Sequence, residues 1–264
     1  MKRDFVGAVG ASFILILFGD GVVANVGLAP RIAAAGYDWN TIAFGWAFAV
    51  IAAGFIAGGQ NNPALHLALA IRGQLPWGRA LNLMAGTMVG CFLGALGVYL
   101  CYRDGLVAAG LPNVWCTGPG SVFATTFWGA PAAGAQGTPY SLLTACTIEF
   151  VGTAVLMWSV LATSDARNKA LGVGGTFFVG GVVLAIGLSL SGPSGYAINP
   201  ARDLGPRLFG ALIGTGHLFE DSYWILAPVV APFVGAIVGA YSWDLLFASS
   251  KQEVAAAEPQ REVA

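Results

Sequence analysis

Apolar runs about as long as a bilayer is thick alternate with short polar breaks along this chain. A helix needs about 20 mostly apolar residues to cross the hydrocarbon. Six segments meet that requirement: Phe5–Leu28, Thr41–Gly58, Trp77–Tyr102, Leu142–Thr163, Gly172–Leu190 and Tyr223–Leu246. The breaks carry ionisable residues, namely Arg31 with Asp38, Arg72 with Arg79, Arg103 with Asp104, and Asp165 with Arg167 and Lys169. Two further apolar pieces are too short to span. Asn62 to Arg72 and Asn199 to Gly210 are about eleven or twelve residues each, roughly 17 Å of helix and about half the hydrocarbon thickness. Both open with Asn-Pro-Ala, at Asn62-Pro63-Ala64 and Asn199-Pro200-Ala201, half a chain apart. Each follows the second span of a three-span half. A repeat with an odd number of spans is inverted across the membrane.

The pattern therefore predicts an all-α membrane protein of six transmembrane helices plus two re-entrant half-helices, in an inverted three-span repeat. Repeat one covers 5–102, a connector 103–140, repeat two 141–247 and a polar tail 248–264, within a single domain over 1–264. The connector is long enough for an ordered loop. Its Trp115, Phe123, Phe127, Trp128 and Tyr140 read either as a greasy vestibule or as interface anchors. The tail reads as disordered.

Composition agrees. Of 264 residues 56% are hydrophobic and 9% charged, against roughly 25% charged in soluble domains, and mean hydropathy is +0.72. A soluble globule is excluded. A formal charge of −1 leaves no basic stripe for nucleic acid. The 38 glycines suit helices packed backbone to backbone, and Gly90, Gly94, the run Gly172 to Gly175, and Gly180 with Gly181 read as such contacts. Cys91, Cys101, Cys116 and Cys146 are too dispersed for a metal or redox pair and read as packing residues. Scattered His and Cys without paired carboxylates supply no catalytic set and imply no enzyme, cofactor or metal. Lys2, Arg3, Arg72, Arg79, Arg167, Lys169, Lys251 and Arg261 outnumber Arg31, Arg103, Arg202 and Arg207 on the opposite side, which puts both termini in the cytoplasm.

Asn is a strong N-cap and Pro is favoured at the first helical position, so each Asn-Pro-Ala starts a short helix. Two such helices entering from opposite faces meet near the midplane. Their N-termini repel cations, and Asn62 and Asn199 offer amide donors to a polar molecule. The consequence is a narrow pore for neutral solutes.

The chain here resembles the aquaporins, and among them the aquaglyceroporins or glycerol facilitators. The resemblance runs from Phe18-Gly19-Asp20-Gly21 through both Asn-Pro-Ala boxes and Glu149-Phe150-Val151-Gly152-Thr153 to Gly235-Ala236-Ile237-Val238-Gly239-Ala240. The second box, from Gly195-Tyr196-Ala197-Ile198 through Asn199-Pro200-Ala201 to Arg202-Asp203, carries it most specifically. It implies a passive channel for glycerol and other small neutral solutes that also conducts water and excludes ions and protons. The partners implied are those solutes, membrane lipid and three further copies in a homotetramer, within the plasma or cell inner membrane. The alternatives are a water-selective aquaporin and an ion-coupled secondary transporter, which also uses inverted repeats and broken helices.

By the same resemblance the selectivity filter holds Arg202, Tyr196, Gly187 where water-selective members carry His, and either Phe44 or Ile42 from the second span. The local Phe-Gly pattern favours Phe44, while an ungapped count back from Asn62 lands on Ile42. Asp203, Arg207 and Pro228 match the glycerol branch. Glu149 matches a brace for the re-entrant loop, its repeat counterpart is Ala8, and Gln60 could supply the bonding lost there. His66 is a pH-sensor candidate or a packing histidine. Asp20 reads as a hydrogen-bonding group at the far end of the first span.

Overall fold

The computed structural model describes residues 1–28, 38–59, 61–119, 121–122 and 139–248. Helix α1 is Lys2–Gly27, α2 Trp39–Ala57, α3 the short Pro63–Ile71 and α4 Trp77–Ala108. After the connector come α5 Leu142–Ser164, a 3₁₀ turn Ala166–Leu171, α6 Gly174–Ser189, the short α7 Pro200–Ile213 and α8 Tyr223–Leu246. Among the described residues five helices are long and apolar enough to span, and α6 is a shorter apolar helix.

Several predicted boundaries shift by a few residues, and two of the shifts have a clear local reason. Helix α4 runs to Ala108, past Arg103 and Asp104, because charge ends the hydrocarbon segment without breaking backbone hydrogen bonds. It stops where Gly110 turns left-handed at φ +77°. Helix α6 starts at Gly174 rather than Gly172, which lies in a turn at φ +47°. In α8 the i→i−4 ladder slips to a π-turn over Leu226–Val230, where Pro228 has no N–H to give.

The packing repeats itself. Helix α1 lies on α4 and α2, α5 lies on α8 and α6, α3 packs against α8 and α4, and α7 against α4 and α8. The same device makes the α1–α4 and α5–α8 contacts. A Cβ on Gly86 or Gly90 would lie 2.7 or 2.4 Å from the carbonyls of Phe5 or Val9, and one on Gly94 2.6 Å from Ile16 Cβ. On the other side, Cβ atoms on Gly235 and Gly239 would lie 2.3 and 2.7 Å from the carbonyls of Phe150 and Ala154. Backbones approach this closely only where a side chain is missing. Gly180 has the same role against Ile51, whereas Gly172, Gly174 and Gly181 have nothing within 4 Å, which corrects their reading as contacts. Cys91 and Cys116 are buried as packing residues, but Cys101 is exposed.

Polar ties close the termini side. Arg72, which caps α3, bonds Asp244 near the end of α8 through its Nε at 2.7 Å, and Arg79 of α4 pairs with Asp4 of α1 at 3.0 Å.

Candidate pore

The two short helices meet N-terminus to N-terminus. Asn62 and Asn199 are their extended N-cap residues, each followed by Pro in the first turn. The Oδ1 of Asn62 accepts from Ala64 N at 3.0 Å, and that of Asn199 from Ala201 N at 3.1 Å and Arg202 N at 3.2 Å. The amide nitrogens cross over. Asn62 Nδ2 donates to Ile198 O at 2.9 Å and Asn199 Nδ2 to Asn61 O at 2.7 Å. A side-chain amide carries two N–H donors, so each Asn keeps one for a neighbouring molecule.

Both asparagines line a cavity of about 360 Å³. Leu15, Val50, Leu156 and Val183 give it an apolar wall, while Asn61, Asn62, Asn199 and Arg202 give it polar points. Gly59, Gly172 and Thr163 line it at the termini end, and Trp46, Tyr196 and Arg202 lie at the connector end. A wall of this kind suits a molecule with one carbon face and one hydroxyl face.

Glu149, fully buried in α5, shapes the polar side. Its Oε1 accepts from Ser194 Oγ at 2.7 Å and Ala197 N at 2.8 Å, and its Oε2 from Ile198 N at 2.6 Å. In a trans peptide the carbonyl points opposite to the N–H. The carbonyls of Tyr196 and Ala197 therefore point away from Glu149, towards the cavity that Tyr196, Ala197 and Ile198 line. Tyr196 and Ile198 hold φ near +43° and +44°, an unfavourable region for such side chains. Ile198 N bonds Glu149 directly, and Tyr196 N bonds Ser194 Oγ, which itself donates to Glu149.

At the connector end the guanidinium of Arg202 lies over the Trp46 indole, 3.9 Å from its centroid. The ring of Tyr196 meets Trp39 edge-on at 5.7 Å, and Trp39 Nε1 donates to Gly187 O at 2.7 Å. Trp46, Tyr196 and Arg202 also line a second, smaller cavity on the connector side with Asp20 and Ile42, so they form the wall between the two.

The second-span assignment is corrected here. Phe44 is 48% exposed on the outer face of α2, whereas Ile42 is 1% exposed and faces the wall. Two residues turn a helix by about 200°, so only one of them can point inward. Trp46, one turn beyond Ile42, is the residue that the sequence reading missed, along with Trp39. The i, i+4 spacing from Ile42 was the available signal. Gly187 has a different part from that expected. A Cβ there would sit 2.9 Å from Tyr196 Cζ, so the space it frees is taken up by that ring rather than left open.

Asp203 and Arg207 form a buried ion pair at 2.8 Å. Asp203 Oδ2 accepts from Thr117 N at 2.8 Å and Thr117 Oγ1 at 2.6 Å, while Arg207 donates to Leu218 O at 2.6 Å and Thr117 O at 3.0 Å. The Tyr223 hydroxyl lies 2.8 Å from Ser194 O. This network ties the connector and the turn after α7 to the pore wall. Trp115 belongs to that frame. It is fully buried against Phe209 and bonds Thr215 Oγ1 at 3.1 Å, so it is neither a vestibule surface nor an interface anchor. His66 is buried within α3 at 3% exposure, as a packing histidine would be. Ala8 is fully buried. Gln60, Arg31, Phe123, Phe127, Trp128 and the tail from residue 249 lie outside the described residues.

The model of the family described as Major intrinsic protein matches residues 1–243. A probable glycerol uptake facilitator protein of Thermotoga maritima is 38% identical over 245 residues, covering 89% of this chain and 96% of that protein. Glycerol uptake facilitator protein 3 of Lactiplantibacillus plantarum is 34% identical over 260 residues, covering 93% and 98%. Among solved structures, the aquaglyceroporin from Plasmodium falciparum superposes with a TM-score of 0.77 at 24% identity, covering 93% of this chain and 96% of that one. That last likeness is one of fold.

Proposed function

The chain belongs to the major intrinsic protein family, and from that premise we propose that it is a passive membrane channel for glycerol and other small neutral solutes, conducting water as well. The crossed pair Asn62 and Asn199 carries this reading, because it leaves one amide donor from each half at the meeting point of two helix N-termini. The names of its relatives in Thermotoga and Lactiplantibacillus agree with it.

A solute entering from the connector side meets Arg202 first. Its remaining N–H groups take hydroxyl oxygens, while Trp46 and Tyr196 receive the carbon side. Ile42 and Gly187 complete the filter, the one as an apolar wall and the other by seating Tyr196. The solute then exchanges hydroxyl bonds with the Tyr196 and Ala197 carbonyls and the Asn62 and Asn199 amides, while Glu149 and Asp203 hold that frame. A cation is opposed twice, by the Arg202 charge and by the positive N-termini of α3 and α7. It also finds too few acceptors along the apolar wall to replace its hydration.

The working form is a homotetramer with one pore per chain, in a plasma or cell inner membrane. Both termini face the cytoplasm, as the Lys and Arg distribution favours. Purified protein in proteoliposomes tests the proposal by stopped-flow light scattering under a glycerol gradient. Glycerol and water fluxes both faster than in empty vesicles are expected. Water flux alone would select a water-selective channel, and no acceleration of either would sink the reading.

A further inference from the structure

Asp20, in the connector half of α1, lines the smaller cavity on the connector side of the filter wall. It is 1% exposed, and neither carboxylate oxygen has a hydrogen-bond partner among the described residues. Arg202 is 6% exposed, and its Nη1 is likewise without a partner among them. The two side chains line one cavity of about 20 Å³ with Trp46 and Tyr196, and they lie within electrostatic reach of each other. Buried charges with unmade hydrogen bonds are strongly unfavourable. Room for one water needs roughly 10–15 Å³ on this measure, together with at least two polar partners. The cavity meets both conditions. A water there can accept from Nη1 and donate to a carboxylate oxygen.

We propose that Asp20 is a positioning residue for Arg202, acting through a single water in this cavity that joins its carboxylate to Nη1. The bridge fixes the guanidinium flat on Trp46 and leaves the other N–H groups of Arg202 aimed at the solute. This rests on reading Arg202 as the filter cation. Asp20 thereby sets selectivity through Arg202.

The test compares wild type, Asp20→Val and Asp20→Asn in proteoliposomes, reading glycerol and water permeabilities from the same preparations. Val fills the site with methyl groups and removes the acceptor, so the glycerol-to-water ratio should shift by about threefold or more. Asn keeps a carbonyl acceptor in place and should restore most of the wild-type ratio. An unchanged ratio in Asp20→Val beside a conducting wild type overturns the proposal alone, even if the melting temperature falls. A wild type that passes no glycerol overturns the filter reading and this proposal with it. A high-resolution map of the wild-type protein gives a check independent of variant folding: density bonded to both Asp20 and Arg202 supports the bridge, and a cavity without it overturns it.

Discussion

Substituting Gly187 by Ala adds one methyl group at the filter, and the structure says where it must go. Its Cβ would lie 2.9 Å from Tyr196 Cζ, 3.0 Å from its Oη and 3.1 Å from Cε2. Ordinary carbon contacts begin near 3.5 Å, so the ring has to retreat by about 0.5 Å or more. Helix α6 stands behind the new methyl, and Trp39 closes one edge of the ring at 5.7 Å. The retreat is therefore into the opening beside Arg202. Overpacking of this kind costs about 1–3 kcal/mol, offset by up to about 1 kcal/mol from replacing Gly in a helix. The net loss of stability should be about 0–3 kcal/mol. If about 0.7–1.4 kcal/mol of the strain raises the barrier at the filter, glycerol flux falls roughly three- to tenfold. Water, being smaller, should slow less.

Stopped-flow permeabilities of Gly187→Ala, Tyr196→Ala and the double variant separate this from a general loss of fold. With the ring removed, the added methyl has nothing to push, so Gly187→Ala should barely alter glycerol flux in the Tyr196→Ala background. An equal slowing in both backgrounds, or none in either, would refute the reasoning.

Other expectations follow from the same geometry. Glu149→Gln leaves one carbonyl oxygen and an NH₂ where a carboxylate met two backbone N–H groups and a hydroxyl. The lost charge-assisted bonds, about 1.5–3 kcal/mol each, should lower the melting temperature in detergent and slow glycerol together; a variant as stable and as fast as wild type would contradict the brace. Arg207→Leu strands Asp203 without its buried partner, and one-sided loss of such a pair costs about 3–5 kcal/mol. The yield of folded protein should collapse, which size-exclusion profiles would report. His66→Thr should leave the pH profile of flux unchanged between about pH 5 and pH 8, since the histidine is buried in α3; a flattened profile would restore it as a sensor.

Much of this protein is legible in the order of its residues, because the features concerned are local or periodic. The spans follow from apolar length, and Tyr223–Leu246 was placed to the residue. The half-helices follow from Asn-Pro capping, which acts within one turn, and Asn62 and Asn199 cap as expected. Tertiary structure decided what faces what. The choice between Phe44 and Ile42 depends on the rotation of α2 against α1 and α6, which no local pattern sets, and it brought in Trp46 as the partner of Arg202. Gly187 looked like an opening because a sequence shows a missing side chain but not the neighbour that fills its place. Asp203, Arg207 and Thr117 become one network only when the connector folds back onto α7. Asp20 and Arg202 are far apart in the chain, yet they share one cavity wall because α1 and α7 converge there. The sequence by itself determined which segments are apolar enough to cross a membrane and where the two short helices start, since both follow from the chemistry of neighbouring residues. The chemistry of the filter was left to helix rotation and close packing, which depend on every element at once.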